Sequence, residues 1–137
     1  MKDTQDEKIP AVLKTDPDEL VFDMRVAGTT FVEDSEELLK TLKLVPSDKL
    51  NLVLSREPDN EHDPNAVRVS IKVEGYDKSR FVGYIPKDHS EIVSYVILHR
   101  DDYKLLVTHP TLCGGVEGKE YIGIFFGMKI EKRVSVR

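Results

Sequence analysis

"SREPDNEHDPNAVRV", residues 55–69, decides how the rest of the chain is read. Apolar, β-branched runs enter and leave it. "LNLVLS" at 50–55 and "AVRVSIKV" at 66–73 both alternate in the way half-buried strands do. Between them stand Pro58, Asn60, Asp63, Pro64 and Asn65, residue types that close turns through a restricted φ or a side-chain bond to nearby backbone. The stretch is a strand–loop–strand unit with a markedly polar connection. Three readings of that connection are open at this point: an ordered turn, a metal loop or a recognition loop.

Working outward, Leu20–Val26 puts Leu20, Phe22, Met24 and Val26 on one parity, which predicts a strand with one buried face, and Gly28 marks a bend after it. "VEDSEELLKTLKL" predicts a short helix, with Asp34 as N-cap, Glu37 completing a capping box, and Leu38, Leu39 and Leu42 as its apolar face. "FVGYIP", residues 81–86, predicts a strand closed by Pro86. A second helix follows, with Asp88 and Glu91 as its capping box and Ile92, Tyr95, Val96 and His99 on one face. Tyr103–Thr108 predicts another strand, "CGGVEG" a flexible loop, and Tyr121–Val136 one long or bent strand. Residues 1–19 are polar, hold Pro10 and Pro17, and predict a flexible acidic tail ahead of a domain at 20–137. Six or seven short strands with one or two short helices imply a mostly β fold, a small antiparallel barrel.

Composition narrows the function classes. The chain has 137 residues with 39% hydrophobic and 33% charged, which suits one domain with a core. Formal net charge is −5, and residues 1–20 hold three Lys against six acids. Bulk charge therefore does not advertise nucleic-acid binding. The last 19 residues reverse the balance, with five basic residues against two acids. Cys113 is the single cysteine, so no intrachain disulfide forms, as suits a reducing compartment. "MKDTQDEKIP" has no apolar core, and no run approaches the ~20 apolar residues of a spanning helix. A soluble cytoplasmic protein with no membrane association is expected.

Several chemistries fail on spacing. Asp59, Glu61 and Asp63 alternate as in a calcium loop, but such a loop needs Gly at 64 and Glu at 70, where Pro64 and Ser70 stand. "CGGVEGKE" holds Gly118-Lys119 but has Cys113 for the first phosphate-loop glycine and Glu120 for the Ser/Thr. Cys113 with His109 meets only part of a nucleophile–base requirement. His62, His89, His99 and His109 have no zinc spacing. No cofactor, no metal and no enzymatic activity are expected.

With its flanks, the opening stretch resembles the HIRAN domain. The family pattern is an apolar strand ending in R-E/D-P, then N-x-x-D-x-N-A-I/V, a strand, and a G-Y/H-I/L strand leading to a helix. Here those positions are Arg56-Glu57-Pro58, Asn60, Asp63, Asn65-Ala66-Val67 and Gly83-Tyr84-Ile85. "FDMRVAGTTF", residues 22–31, is similar to the family's first strand and bend. The resemblance spans roughly 20–137 and is tightest over 54–96. It implies an OB-like β-barrel with short helices and, as in fork-remodelling relatives, binding of the 3′-hydroxyl end of single-stranded DNA. In the alternative reading of a protein-interaction module, a repair or replication protein is the expected partner.

Residue by residue, the resemblance puts Asp63 at the acid that accepts from the 3′-OH, a donor that internal phosphodiesters lack. His62 and Phe31 fall where a DNA-binding relative has Tyr, Thr30 falls where it has Arg, Lys87 matches a basic residue, and Tyr121 falls near an aromatic that stacks on a base. Arg56 is a further phosphate candidate, and Asn60, Pro64 and Asn65 are the loop-structuring residues. A plainer account stands beside each role. Asp63 and Asn65 also suit Asx-turns around Pro64, with Asn65 bonded to loop backbone. Arg56 also suits pairing with a nearby acid, and Phe31 and Tyr121 also suit packing in the core or at the barrel mouth. The leading function is non-enzymatic binding of single-stranded DNA ends. The alternatives are a protein-interaction module using a groove or edge strand and, more weakly, a nucleic-acid hydrolase using Asp63 and His62.

Overall fold

The polarity alternation at Glu19–Arg25 becomes strand β1, whose inward residues Met24 and, just beyond it, Val26 lie in the core. A computed structural model describes residues 9–115 and 121–134. Among the described residues there are seven strands in two antiparallel sheets and three helices. The remaining elements are α1 (Ala11–Lys14), α2 (Ser35–Lys43), β2 (Leu50–Arg56), β3 (Val67–Val73), β4 (Ser79–Tyr84), α3 (Lys87–Leu98), β5 (Tyr103–Val107), β6 (Thr111–Cys113) and β7 (Gly123–Lys132).

One sheet is the meander β2-β3-β4, which confirms the strand–loop–strand reading of residues 50–73. In the other, β1 pairs one side of β7, while β5 and β6 pair the opposite side one after the other. The two sheets join where the chain leaves β1. Val26 N donates to Ile124 O at 2.9 Å, still in the first sheet. The next residue, Ala27, exchanges both main-chain bonds with Tyr84 at 2.8 and 2.9 Å, in the second. Gly83 permits this approach, because a Cβ there would lie 2.4 Å from Ala27 O. Ile71, Val69, Val93, Ile124 and Met128, all fully buried, fill the space between the sheets and α3.

Several expectations differ from what the structure shows. The ladders of the described residues do not close into a barrel. On the far seam the bonds run between side chain and main chain: His109 Nδ1 donates to Leu50 O at 2.8 Å and Ser47 Oγ to Pro110 O at 2.6 Å. Pro110 has no N–H to give a ladder there. Residues 9–19, assigned to the tail, are ordered against the domain: Leu13, 4% exposed, joins the core, and Lys132 N donates to Asp18 O. Residues 1–8 lie outside the described residues. Asp34 does not cap α2; it adopts a left-handed conformation (φ 59°) and makes no side-chain cap bond. The second helix begins at Lys87 with Pro86 ahead of it, so Asp88 sits inside its first turn. The strand at 121–136 is shorter than expected, Gly123–Lys132, and residues 135–136 lie outside the described residues. Cys113 of the expected loop ends β6 instead, and 116–118 are likewise outside.

Candidate nucleic-acid interface

The polar connection is built from two successive β-turns. Asn60 N donates to Glu57 O at 3.0 Å around Pro58, and Ala66 N donates to Asp63 O at 3.0 Å around Pro64. Each proline takes the second turn position, where its φ is pre-set. Asn60 links the two turns: its Oδ1 accepts from His62 N (2.8 Å) and Asp63 N (3.0 Å), and its Nδ2 donates to Glu57 Oε1 at 2.7 Å. Asp63 Oδ1 accepts from Asn65 N at 2.8 Å, and Asp63 Oδ2 from Ser90 Oγ on α3, also at 2.8 Å. The loop is thus tied to the first turns of α3. Asn65 contributes its backbone N–H rather than its side chain, which has no hydrogen bond among the described residues; Asn60 is the residue that satisfies loop backbone.

Under the loop, Glu57 collects three donors. Besides Asn60, Tyr84 Oη reaches Oε1 at 2.9 Å and Arg68 Nη1 reaches Oε2 at 3.1 Å. The bonds from Asn60, Tyr84 and Arg68 hold the Glu57 carboxyl below the usual carboxylate value. Burial, and then the bond to Glu57, push the Tyr84 phenol up, so it stays a donor. Arg68 also lies over the Phe81 ring, 4.0 Å from its centroid. Arg68 and Glu57 are therefore committed to the scaffold.

The residues expected to meet DNA do not share one pocket. Gly28, with φ 73°, starts a single 3₁₀ turn at Thr29–Phe31 and turns Phe31 outward, where it is 91% exposed. Phe31 lines a hollow of about 490 Å³ with Pro86, Asp88 and His89 from the start of α3. Tyr121, 68% exposed, lines a neighbouring hollow of about 510 Å³ with Ser35, Leu39 and Lys40, and Thr29 and Thr30 belong to both. Neither aromatic is core. Asp63 lines neither hollow; it is bonded to the buried Ser90, the residue after His89, which does line the Phe31 hollow. His62 and Lys87 are exposed, Lys87 as the first residue of α3. Arg56 pairs with no acid among the described residues; its Nε donates to Ser94 Oγ at 2.8 Å.

Each oxygen of the Asp63 carboxylate accepts one bond, which leaves lone pairs for a ligand hydroxyl. Two groups escaped the sequence reading. Ser90 orients Asp63, with no signal beyond a small polar residue early in a helix. His89 lines the hollow with its ring 5.0 Å from that of Phe22, and was weighed only as a zinc ligand. Among the described residues no three His, Cys, Asp or Glu side chains are placed to hold a metal ion, and no helix is long and apolar enough to cross a membrane.

A family model described as the HIRAN domain matches residues 20–111, most of the chain; it stops short of Tyr121 and of β7. No curated protein and no solved structure matches the chain at a significant level.

Proposed function

The chain belongs to the HIRAN-domain family, whose domain is a nucleic-acid-binding module, and on that premise we propose that it binds the 3′-hydroxyl ends of single-stranded DNA, by binding alone and without catalysing a reaction. The observation that carries this reading is that the first turn of one helix, α3, both holds the Asp63 acceptor, through Ser90, and lines the hollow of the exposed Phe31. Asp63 is held by Asn65 N and Ser90 Oγ beside α3, and Phe31 stands at the hollow that Pro86, Asp88 and His89 also line. A ring this exposed adds little to folding, but it offers a terminal base a face worth ~1–3 kcal/mol. The N-terminal amides of α3 and the Lys87 ammonium suit the adjacent phosphate. His62, next to Asp63, gives the last nucleotide a second flat group. A reader of free 3′ ends acts where such ends are made and processed, in replication and repair, and in a bacterial setting in the cytoplasm.

The test compares short single strands ending in 3′-OH and in 3′-phosphate. A phosphate removes the donor and sets negative charge against Asp63, so affinity falls at least about tenfold, in line with ~1.5–3 kcal/mol for a charge-assisted bond. Asp63→Asn narrows that gap, while Phe31→Ala weakens both strands alike. Equal wild-type affinity for the two ends refutes end reading, and the protein-interaction role then becomes the better account.

A further inference from the structure

On the solvent face of the β1–β7 sheet, Arg25 faces Phe125 directly across the ladder, and its guanidinium carbon lies 5.5 Å from the centre of the Phe125 ring. We propose that this pair is a second contact point for single-stranded nucleic acid, holding a nucleotide upstream of the bound end, with the base on Phe125 and the phosphate on Arg25. The proposal rests on the end-binding reading above and extends the same strand across the molecule.

Three features support it. First, the place is continuous with the candidate interface. Asp23, Met24 and Arg25 line both the Phe31 hollow and a second one, of about 560 Å³, that holds Phe125, Thr108 and His109. A strand leaving Phe31 meets Arg25 next. Second, the only contact recorded for the Arg25 guanidinium among the described residues is with the Phe125 ring. Asp23 lies two residues away on the same strand, yet the guanidinium rests on the ring instead. Arg25 forms no ion pair or hydrogen bond among the described residues, so its donors remain available to a phosphate. Third, the pair is held in place while remaining exposed. Phe125 is 41% exposed. The ring and the guanidinium close together over the buried Gly123, where a Cβ would lie 2.9 Å from the ring and 3.0 Å from Arg25 Nε, so only glycine lets them sit side by side there. The next outward position of β7 is Gly127, which leaves the floor of the hollow open. Asp23 repels phosphate and accepts from an exocyclic amino group, which orients the base toward Gly127 and the phosphate toward Arg25.

Titrations with 3′-hydroxyl oligodeoxycytidylates of about three and about eight nucleotides test this. The longer strand is expected to bind roughly tenfold more tightly, the worth of one added stacking and phosphate contact. Phe125→Ala is expected to remove that increment and leave the short strand's affinity unchanged, because Phe125 lines only the second hollow; Arg25→Gln is expected to remove the increment as well. Both side chains lie on the solvent face, and an unchanged melting temperature checks the fold. A length increment that survives both substitutions, or an equal loss on short and long strands in Phe125→Ala, overturns the proposal. End discrimination without any length increment refutes this second contact and leaves the end reading standing. An increment lost in Phe125→Ala without end discrimination does the reverse. No binding of either length overturns both.

Discussion

Three donors converge on the Glu57 carboxylate, and the turn above it depends on one of them, Asn60. The folded-state pKa of Glu57 lies below its ordinary value of 4.5, so the linkage sign is that of a carboxylate stabilised when ionised. Its contribution is fully present above the unfolded value and is lost as pH falls through the lower folded one. Urea midpoints of wild type and Glu57→Gln are therefore expected to differ by a constant amount above about pH 5 and to converge as acid is added. A gap that stays constant down to strongly acid pH would show that Glu57 is not preferentially ionised by the fold. The same network ranks the asparagines. Asn60→Ala removes two acceptor bonds to loop amides and one donor bond, an expected loss of ~1–2 kcal/mol, whereas Asn65→Ala is expected to cost less than ~0.5 kcal/mol. Chemical denaturation decides the order, and a larger loss for Asn65 would contradict it. Both residues look alike in the sequence, since each sits one or two positions from a proline. Which of them faces the loop interior depends on turn geometry that residue type does not encode.

At the scale of elements, the alternating runs made β1 to β3 legible, because one face of each is more buried than the other, whereas β4, Ser79–Tyr84, does not alternate in burial and showed itself by an apolar run closed at Pro86. The three-residue β6 was hidden, as it is too short to show a period beside Gly114 and Gly115. The helix caps were misread for a local reason. Asp34 occupies a left-handed turn, and Pro86, with its φ near the helical value, starts α3 one residue before Asp88. The join between β1 and β4 depends on Gly83, and Gly83→Ala is expected to destabilise by ~2–4 kcal/mol, because the added methyl meets Ala27 O and Val26 Cγ1. Amide exchange at Ala27 and Tyr84 should accelerate in that variant; unchanged exchange would mean that the seam yields without strain. In the segment assigned to a tail, a single apolar residue outweighs the polar composition around it. Leu13→Ala is expected to cost ~2–4 kcal/mol, the usual loss for a buried leucine. A change below ~0.5 kcal/mol would return residues 9–19 to the role of a tail.

Across the whole molecule, a mostly β domain with its strands in the expected order was legible, while barrel closure was not, because closure depends on how two distant edges meet rather than on any one segment's pattern. The site was legible in parts: the Asp63 loop and the exposed Phe31 carry family motif residues, but the separation of Phe31 and Tyr121 into neighbouring hollows, with Asp63 in neither, and the tie of Asp63 to α3 through Ser90 arise only from tertiary packing. Whole-molecule charge supplies the last prediction. With a net charge of −5, the chain cannot rely on a general positive field. Arg68 is paired with Glu57, Lys40 beside Tyr121 is paired with Glu36, and Arg56 is bonded to Ser94, which leaves Lys87 and Arg25 as the cations best placed along the interface. Two phosphate contacts release few counterions, so the logarithm of affinity should fall with the logarithm of salt with a slope near about −1.5, at ~0.7 per contact for single strands. Between about 50 and about 200 mM salt, binding should then weaken by no more than roughly tenfold, far less than for proteins that neutralise many phosphates. Arg25→Gln should flatten the slope by about 0.7 on a long strand. A wild-type slope steeper than about −4 would place the affinity on a broad basic surface. It would also remove the reason for assigning recognition to the few groups around Asp63 and Phe31.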